Sequence, residues 1–126
     1  MTTLLQATPH KFSRILAYGA ARPDVIVTND DIAGPINSSD EWIKQRTGIV
    51  TRHRANAETS VTDLATGAAH DALKASGVAG EDIDAVIVST ISHPYATPSL
   101  ATLVADSLGS RCPAYDISAA CAGFCY

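Results

Sequence analysis

A chain of 126 residues that is 46% hydrophobic and 17% charged can bury one core, which excludes disorder as its main state. Nine Lys and Arg against thirteen Asp and Glu leave a net charge of −4, so the charge balance gives no attraction to nucleic acid. The first ten residues lack the basic, apolar and small-residue regions of a secretory signal, and no apolar run approaches ~18 residues. A protein with no membrane span is expected, located in the cytoplasm, where Cys112, Cys121 and Cys125 stay reduced.

Residues 1–13 read as a flexible tail and residues 14–126 as one unit without an internal boundary. Arg14 to Ala20 is apolar and ends in Gly19 before the turn signal Arg22-Pro23, which predicts a first strand. Thr28, Asn29, Asp30 and Asp31 supply capping side chains for a short segment stopped by Gly34-Pro35. Ser38-Ser39-Asp40-Glu41 then fits a capping box, predicting a helix to about Arg46, with Gly48 placed to end it in a left-handed conformation. Ile49-Val50-Thr51 reads as extended, and Arg52, His53 and Arg54 as a solvated polar loop.

Val61, Leu64, Ala65, Ala68, Ala72 and Ala75 recur at helical spacing between Ser60 and Gly77. Because this stripe is mostly alanine, the helix can approach a neighbouring layer closely. Ala85 to Val88 is continuously apolar, as in a strand of a parallel sheet covered on both faces. Thr97 before Pro98 fits an N-cap, and Leu100, Leu103, Val104 and Leu108 continue a stripe up to Gly109. Ala114 to Ile117 predicts a further strand, leading directly into Cys121. The alternation is that of an α/β fold with a largely parallel sheet. Cys121 to Tyr126 reads as the first turn of a helix, so the natural protein is expected to continue past Tyr126.

Cys121 sits among small residues, Ser118-Ala119-Ala120 before it and Ala122-Gly123 after it, where a strand meets a helix. A helix N-terminus favours a thiolate, which a nucleophile requires, although a cysteine among alanines also fills a core. Spacing leaves both readings open. The segment Tyr115-Asp116-Ile117-Ser118-Ala119-Ala120-Cys121-Ala122-Gly123-Phe124 resembles the active-site segment of type III β-ketoacyl-acyl carrier protein synthases, members of the thiolase-like superfamily. Ser38-Ser39-Asp40-Glu41-Trp42-Ile43-Lys44-Gln45-Arg46-Thr47-Gly48-Ile49 resembles a second signature of that family, and the two occur in the family's order. The likeness runs from about Arg14 to Tyr126.

The resemblance implies the amino-terminal part of one half of a thiolase-like fold, a mostly parallel sheet covered by helices. It implies that Cys121 takes the acyl group from an acyl-coenzyme A primer and passes it to malonyl-acyl carrier protein in a decarboxylative condensation that starts fatty acid or related polyketide synthesis. It assigns Trp42 and Arg46 to the adenine and phosphates of coenzyme A, with Ser38 and Thr47 near the same ligand, and Thr97 to the acyl pocket of the partner subunit in a homodimer. Trp42 and Arg46 stand four apart and so share a helical face. No cofactor is implied beyond the coenzyme A thioester, which is a substrate. The family's decarboxylation histidine and asparagine match no residue here, and His10, His53, His70 and His93 read as surface or loop histidines.

The cysteines lack paired metal-ligand spacing and no His-Glu-x-x-His occurs, so no metal site is expected. Two alternatives remain at this level: a cysteine-dependent acyl hydrolase, which the missing Gly-x-Ser-x-Gly elbow disfavours, and a non-catalytic acyl-coenzyme A binder or inactive fragment.

Overall fold

The computed structural model describes residues 12–126. All but two residues of the expected tail, and His10, lie outside that range. The described chain is mixed α/β: β1 (Val25–Thr28), α1 (Asn29–Ala33), α2 (Asp40–Thr47), β2 (Thr51–Arg54), α3 (Val61–Ser76), β3 (Val86–Ser89), α4 (Leu100–Ser107) and β4 (Ala114–Ile117). The strands form two separate pairs. β1 and β2 run antiparallel with Val25 opposite Arg54, whereas β3 and β4 run parallel with Val86 opposite Ala114 and Ser89 opposite Ile117. α4 connects the parallel strands and packs on both.

Caps set most helix boundaries where the sequence placed them. Thr28 accepts from Asp31 N at the start of α1, while α2 is capped by Ser39, which accepts from Trp42 N, one residue after the Ser38 that the expected capping box with Glu41 requires. Gly48 and Gly77 end α2 and α3 at φ 72°, a left-handed value that costs glycine little. On α3, Ser60 and Asp63 bond each other's backbone N–H reciprocally. The Ser60 hydroxyl, donating to Asp63 Oδ2 at 2.6 Å, and then the Ser60 backbone N–H hold the Asp63 carboxyl below the usual carboxylate range. Its folded value lies below its unfolded one, so the stabilisation is complete above about pH 4 and is lost as pH falls through the folded value. Acidification should therefore loosen the first turn of α3, read as a lower protection of the Asp63 amide relative to its intrinsic exchange rate at each pH. Asp63→Asn should flatten that part of the profile, and an unaltered acid dependence in this variant would contradict the assignment.

Other expectations change. Arg14 to Ala20 is not a strand. Gly19 lies flat against α3, where an added Cβ would collide with Ala68 O and Ala72 N, and Ala20 N donates to Asp71 Oδ2 at 3.1 Å. Ile15, Leu16 and Ala17 line a cavity of about 480 Å³ together with Ala72, Leu73 and Ser76 of α3 and with Ile83, Asp84 and Ala85, and residues 14–20 enter neither strand pair. The small-residue stripe of α3 does permit the expected close approach.

Arg52, His53 and Arg54 are not a loop but three of the four residues of β2. Backbone pairing with β1 does not depend on side-chain polarity. Arg52 donates to Asn29 Oδ1 at 2.8 Å, and His53 Nδ1 lies 2.6 Å from Pro23 O.

β3 is not covered on both faces by the described residues: Val86 and Val88 are half-buried, while Ile87 and its register partner Tyr115 are each 50% exposed. Finally, Ser99 rather than Thr97 is the N-cap of α4, its Oγ accepting from Thr102 N at 3.3 Å. Pro98 therefore precedes the helix rather than opening it, and Thr97 is left in the exposed loop. Among the described residues the buried apolar side chains fall in two groups: Leu100, Ala101, Val104 and Ala105 on α4, which packs on α3, β3 and β4, and Ile43 of α2 with Ala33 of α1, two helices that pack on each other.

Candidate active site

β4 delivers Cys121. After Ile117 the chain turns through Ser118 and Ala119 into a tight 3-10 helix, Ala120–Cys125, and Cys121 is exposed at its start. Ala120 has φ 45°, a left-handed conformation that costs a residue with a Cβ about 1–2 kcal/mol. This is a sharper turn than the α-helical entry expected from the sequence. The free cysteines Cys112, half-buried, and Cys125, exposed, accompany it.

Gly123 is buried against the end of β3, where an added Cβ would strike Ser89 Oγ and lie 3.2 Å from Ser89 Cβ. The glycine thus lets the turn bearing Cys121 close onto β3. Gly123→Ala should lower stability by about 1–3 kcal/mol, the range for overpacking, and combining it with Ser89→Gly should recover most of the loss. Denaturant melts of the single and double variants test this, and additive effects would argue against the contact.

β4 also holds α4. Asp116 Oδ2 accepts from Leu100 N and Oδ1 from Ala101 N, both at 2.8 Å. No local pattern marks these bonds, because their partners are sixteen and fifteen residues apart.

The second group gathers on α2. Buried Asn29, 1% exposed, donates from Nδ2 to Asp40 Oδ1 and to Ile49 O, each at 2.8 Å, while its Oδ1 accepts from Arg52. One amide therefore ties the start of α1 to both ends of α2 and to β2. Asp40 also takes Lys44 Nζ at 2.7 Å, and the bonds from Lys44 and Asn29 hold its carboxyl below the usual range. Ile43 buries the opposite face of α2 at 3% exposure and leaves Trp42 53% exposed.

The Arg46 guanidinium stands 5.8 Å from the centre of the Trp42 ring, so the two share a face as their spacing requires. Trp42 lines a cavity of about 460 Å³ with Ile36, Asn37, Ser38 and Ser39, and the Ser38 hydroxyl is buried without a hydrogen-bond partner among the described residues. Thr47 is differently engaged: its hydroxyl donates to Ile43 O at 2.7 Å and accepts from Ile49 N at 3.1 Å, which closes the end of α2. Trp42, Arg46 and Ser38 are thus brought together beside the antiparallel pair, whereas Cys121 follows the parallel pair and Thr97 precedes α4. Among the described residues no cluster of His, Cys, Asp or Glu is arranged to hold a metal ion.

No family model matches the chain. A β-ketoacyl-[acyl-carrier-protein] synthase III of Kocuria rhizophila is 58% identical over 127 aligned residues, which cover 100% of this chain and 36% of the relative. The chain belongs to the β-ketoacyl-acyl carrier protein synthase III family. It matches the amino-terminal part of that family's thiolase-like fold and spans about a third of the length of the curated relatives it matches.

Solved structures agree. The priming β-ketosynthase of the R1128 polyketide biosynthetic pathway superposes with a TM-score of 0.85 at 38% identity, over 96% of this chain and 36% of that one. The 3-oxoacyl-[acyl-carrier-protein] synthase III of Aquifex aeolicus VF5 gives 0.81 at 40% identity, over 89% and 36%.

Proposed function

We propose that the synthase of which this sequence forms part is an acyltransferase that loads an acyl primer from coenzyme A onto Cys121 and condenses it with malonyl-acyl carrier protein, as a homodimer. The reading rests on the exposed thiol at the end of β4, in a chain 58% identical over its whole length to a synthase III. In the loading step the Cys121 thiolate attacks the thioester carbonyl, a carbon–sulfur bond forms, and the coenzyme A thiolate leaves and takes up a proton. In the second step the malonyl group loses carbon dioxide, and the carbanion displaces Cys121 to give the β-ketoacyl carrier protein.

Trp42 and Arg46 suit the coenzyme A portion. A half-exposed indole offers a face to adenine, a planar cation suits phosphate, and the unpartnered Ser38 hydroxyl offers a hydrogen bond in the same cavity. Thr47 remains proposed near the same ligand, and its hydroxyl also holds the end of α2. Thr97, a small residue in an exposed loop, leaves room for a longer or branched primer in the partner's pocket. The family's decarboxylation histidine and asparagine match no residue here, so the 126 residues alone are proposed to be inactive in condensation, lacking oxyanion stabilisation worth several kcal/mol of barrier. No cofactor beyond the substrate thioester is required, and a cytoplasmic location fits these substrates.

The test is mass spectrometry of a full-length synthase carrying this sequence after exposure to acetyl-coenzyme A. An acetyl adduct on the Cys121 peptide is expected. Tight binding of the ester with no adduct would make the protein a binder rather than a transferase.

A further inference from the structure

Asp116 ties the strand that leads to Cys121 to the first turn of α4, where the 90–98 loop ends. α4 already carries a local cap, Ser99, which takes Thr102 N. The remaining free donors at the helix start, Leu100 N and Ala101 N, go to the two oxygens of Asp116, one each at 2.8 Å. A cap within the loop would satisfy a helix; a carboxylate from another element fixes where that helix begins relative to β4. Each carboxylate oxygen faces one backbone N–H at 2.8 Å, which makes both bonds directional. Leu100 and Ala101 are 1% and 0% exposed, so the bonds lie where water competes poorly.

The loop is fastened to β4 at its other end as well, where Thr90 N donates to Ile117 O at 3.2 Å. Between these two fastenings, Thr90, Ile91, His93 and Tyr95 form one wall of a cavity of about 420 Å³, and Asp116 and Ser118 of the strand side form the other. Ser118 is three residues from Cys121. The wall formed by residues 90–95 is thus held toward β4 at one end by the Thr90–Ile117 backbone bond and at the other, through the start of α4, by the Asp116 carboxylate.

We propose that Asp116 is a positioning residue that fixes the 90–98 loop against the strand carrying Cys121 and thereby sets which primer acyl groups the synthase accepts. The proposal rests on the acyl-transfer reading above. Asparagine at this position keeps the shape and one acceptor oxygen but turns an N–H₂ toward a backbone N–H, so the loop loses one of its fastenings.

The experiment compares a full-length synthase carrying this sequence with its Asp116→Asn variant, measuring kcat/KM for acetyl- and isobutyryl-coenzyme A and hydrogen exchange at Leu100 and Ala101. A shift of the ratio between the two primers by about tenfold or more is expected, carried mainly by KM, with faster exchange at both amides. A purely structural role would lower both primers alike through the active fraction, leaving the ratio unchanged, and that result would overturn the proposal. If Asp116→Asn does not fold, Asp116→Glu, which keeps the charge on a longer arm, is scored by the same ratio and the same criterion. Absence of any acyl adduct on Cys121 in the parent protein would instead refute the acyl-transfer reading, and the proposal with it. An adduct in the parent with an unshifted ratio in the variant would refute the proposal alone.

Discussion

In a full-length synthase carrying this sequence, Cys121→Ala should abolish the acyl adduct and lower the condensation rate by on the order of 10³-fold or more, the scale seen when a covalent nucleophile is removed. The chemistry leaves no substitute at this point: alanine keeps the turn and removes the sulfur that forms the thioester. Cys125 is exposed four residues further on and Cys112 is half-buried before β4, so both are internal controls. Cys112→Ala and Cys125→Ala should retain the adduct on Cys121. An adduct that persists in Cys121→Ala and moves to Cys125 would show that the turn places a different thiol at the reacting position.

Arg46→Ala should weaken coenzyme A ester binding by about 1.5–3 kcal/mol, the range for a charge-assisted hydrogen bond, and Trp42→Ala by about 1–3 kcal/mol, the range for stacking of a base on an aromatic ring. The two effects should not add, because the Arg46 guanidinium and the Trp42 ring lie 5.8 Å apart and each helps to place the other. Calorimetric titration of both single variants and the double variant with a coenzyme A ester gives the coupling directly. Parent-like affinity in both singles would remove α2 from the binding site. Thr47→Val should act differently, through loss of its bonds to Ile43 and Ile49, so its effect should appear in stability before it appears in affinity.

What the sequence could determine was whatever depends on neighbours along the chain. Ser39, Ser60, Gly48 and Gly77 mark their helix ends because capping is a bond between residues two to four positions apart, and Trp42 and Arg46 share a face because the helix repeats every ~3.6 residues. The continuous apolar run Ala85 to Val88 marked β3, Ala114 to Ile117 was legible as the strand leading into Cys121, and the two signature segments pointed to the family. β1 was missed, although Val25-Ile26-Val27-Thr28 is a run of β-branched residues of the kind strands favour.

Contacts distant in sequence were beyond such reading. Arg14 to Ala20 has a strand's composition, but pairing depends on a neighbouring edge at ladder distance, and here the segment rests on α3 instead. Arg52 to Arg54 has a loop's composition, yet its backbone satisfies β1 and Arg52 finds Asn29. Asn29 and Asp116 carry no local signal as organisers because their partners lie eleven to twenty-three and fifteen to sixteen residues away. Chain connectivity alone does not bring such groups together, whereas a buried polar atom needs a partner once packing removes water, and only the packed structure shows which partner it takes.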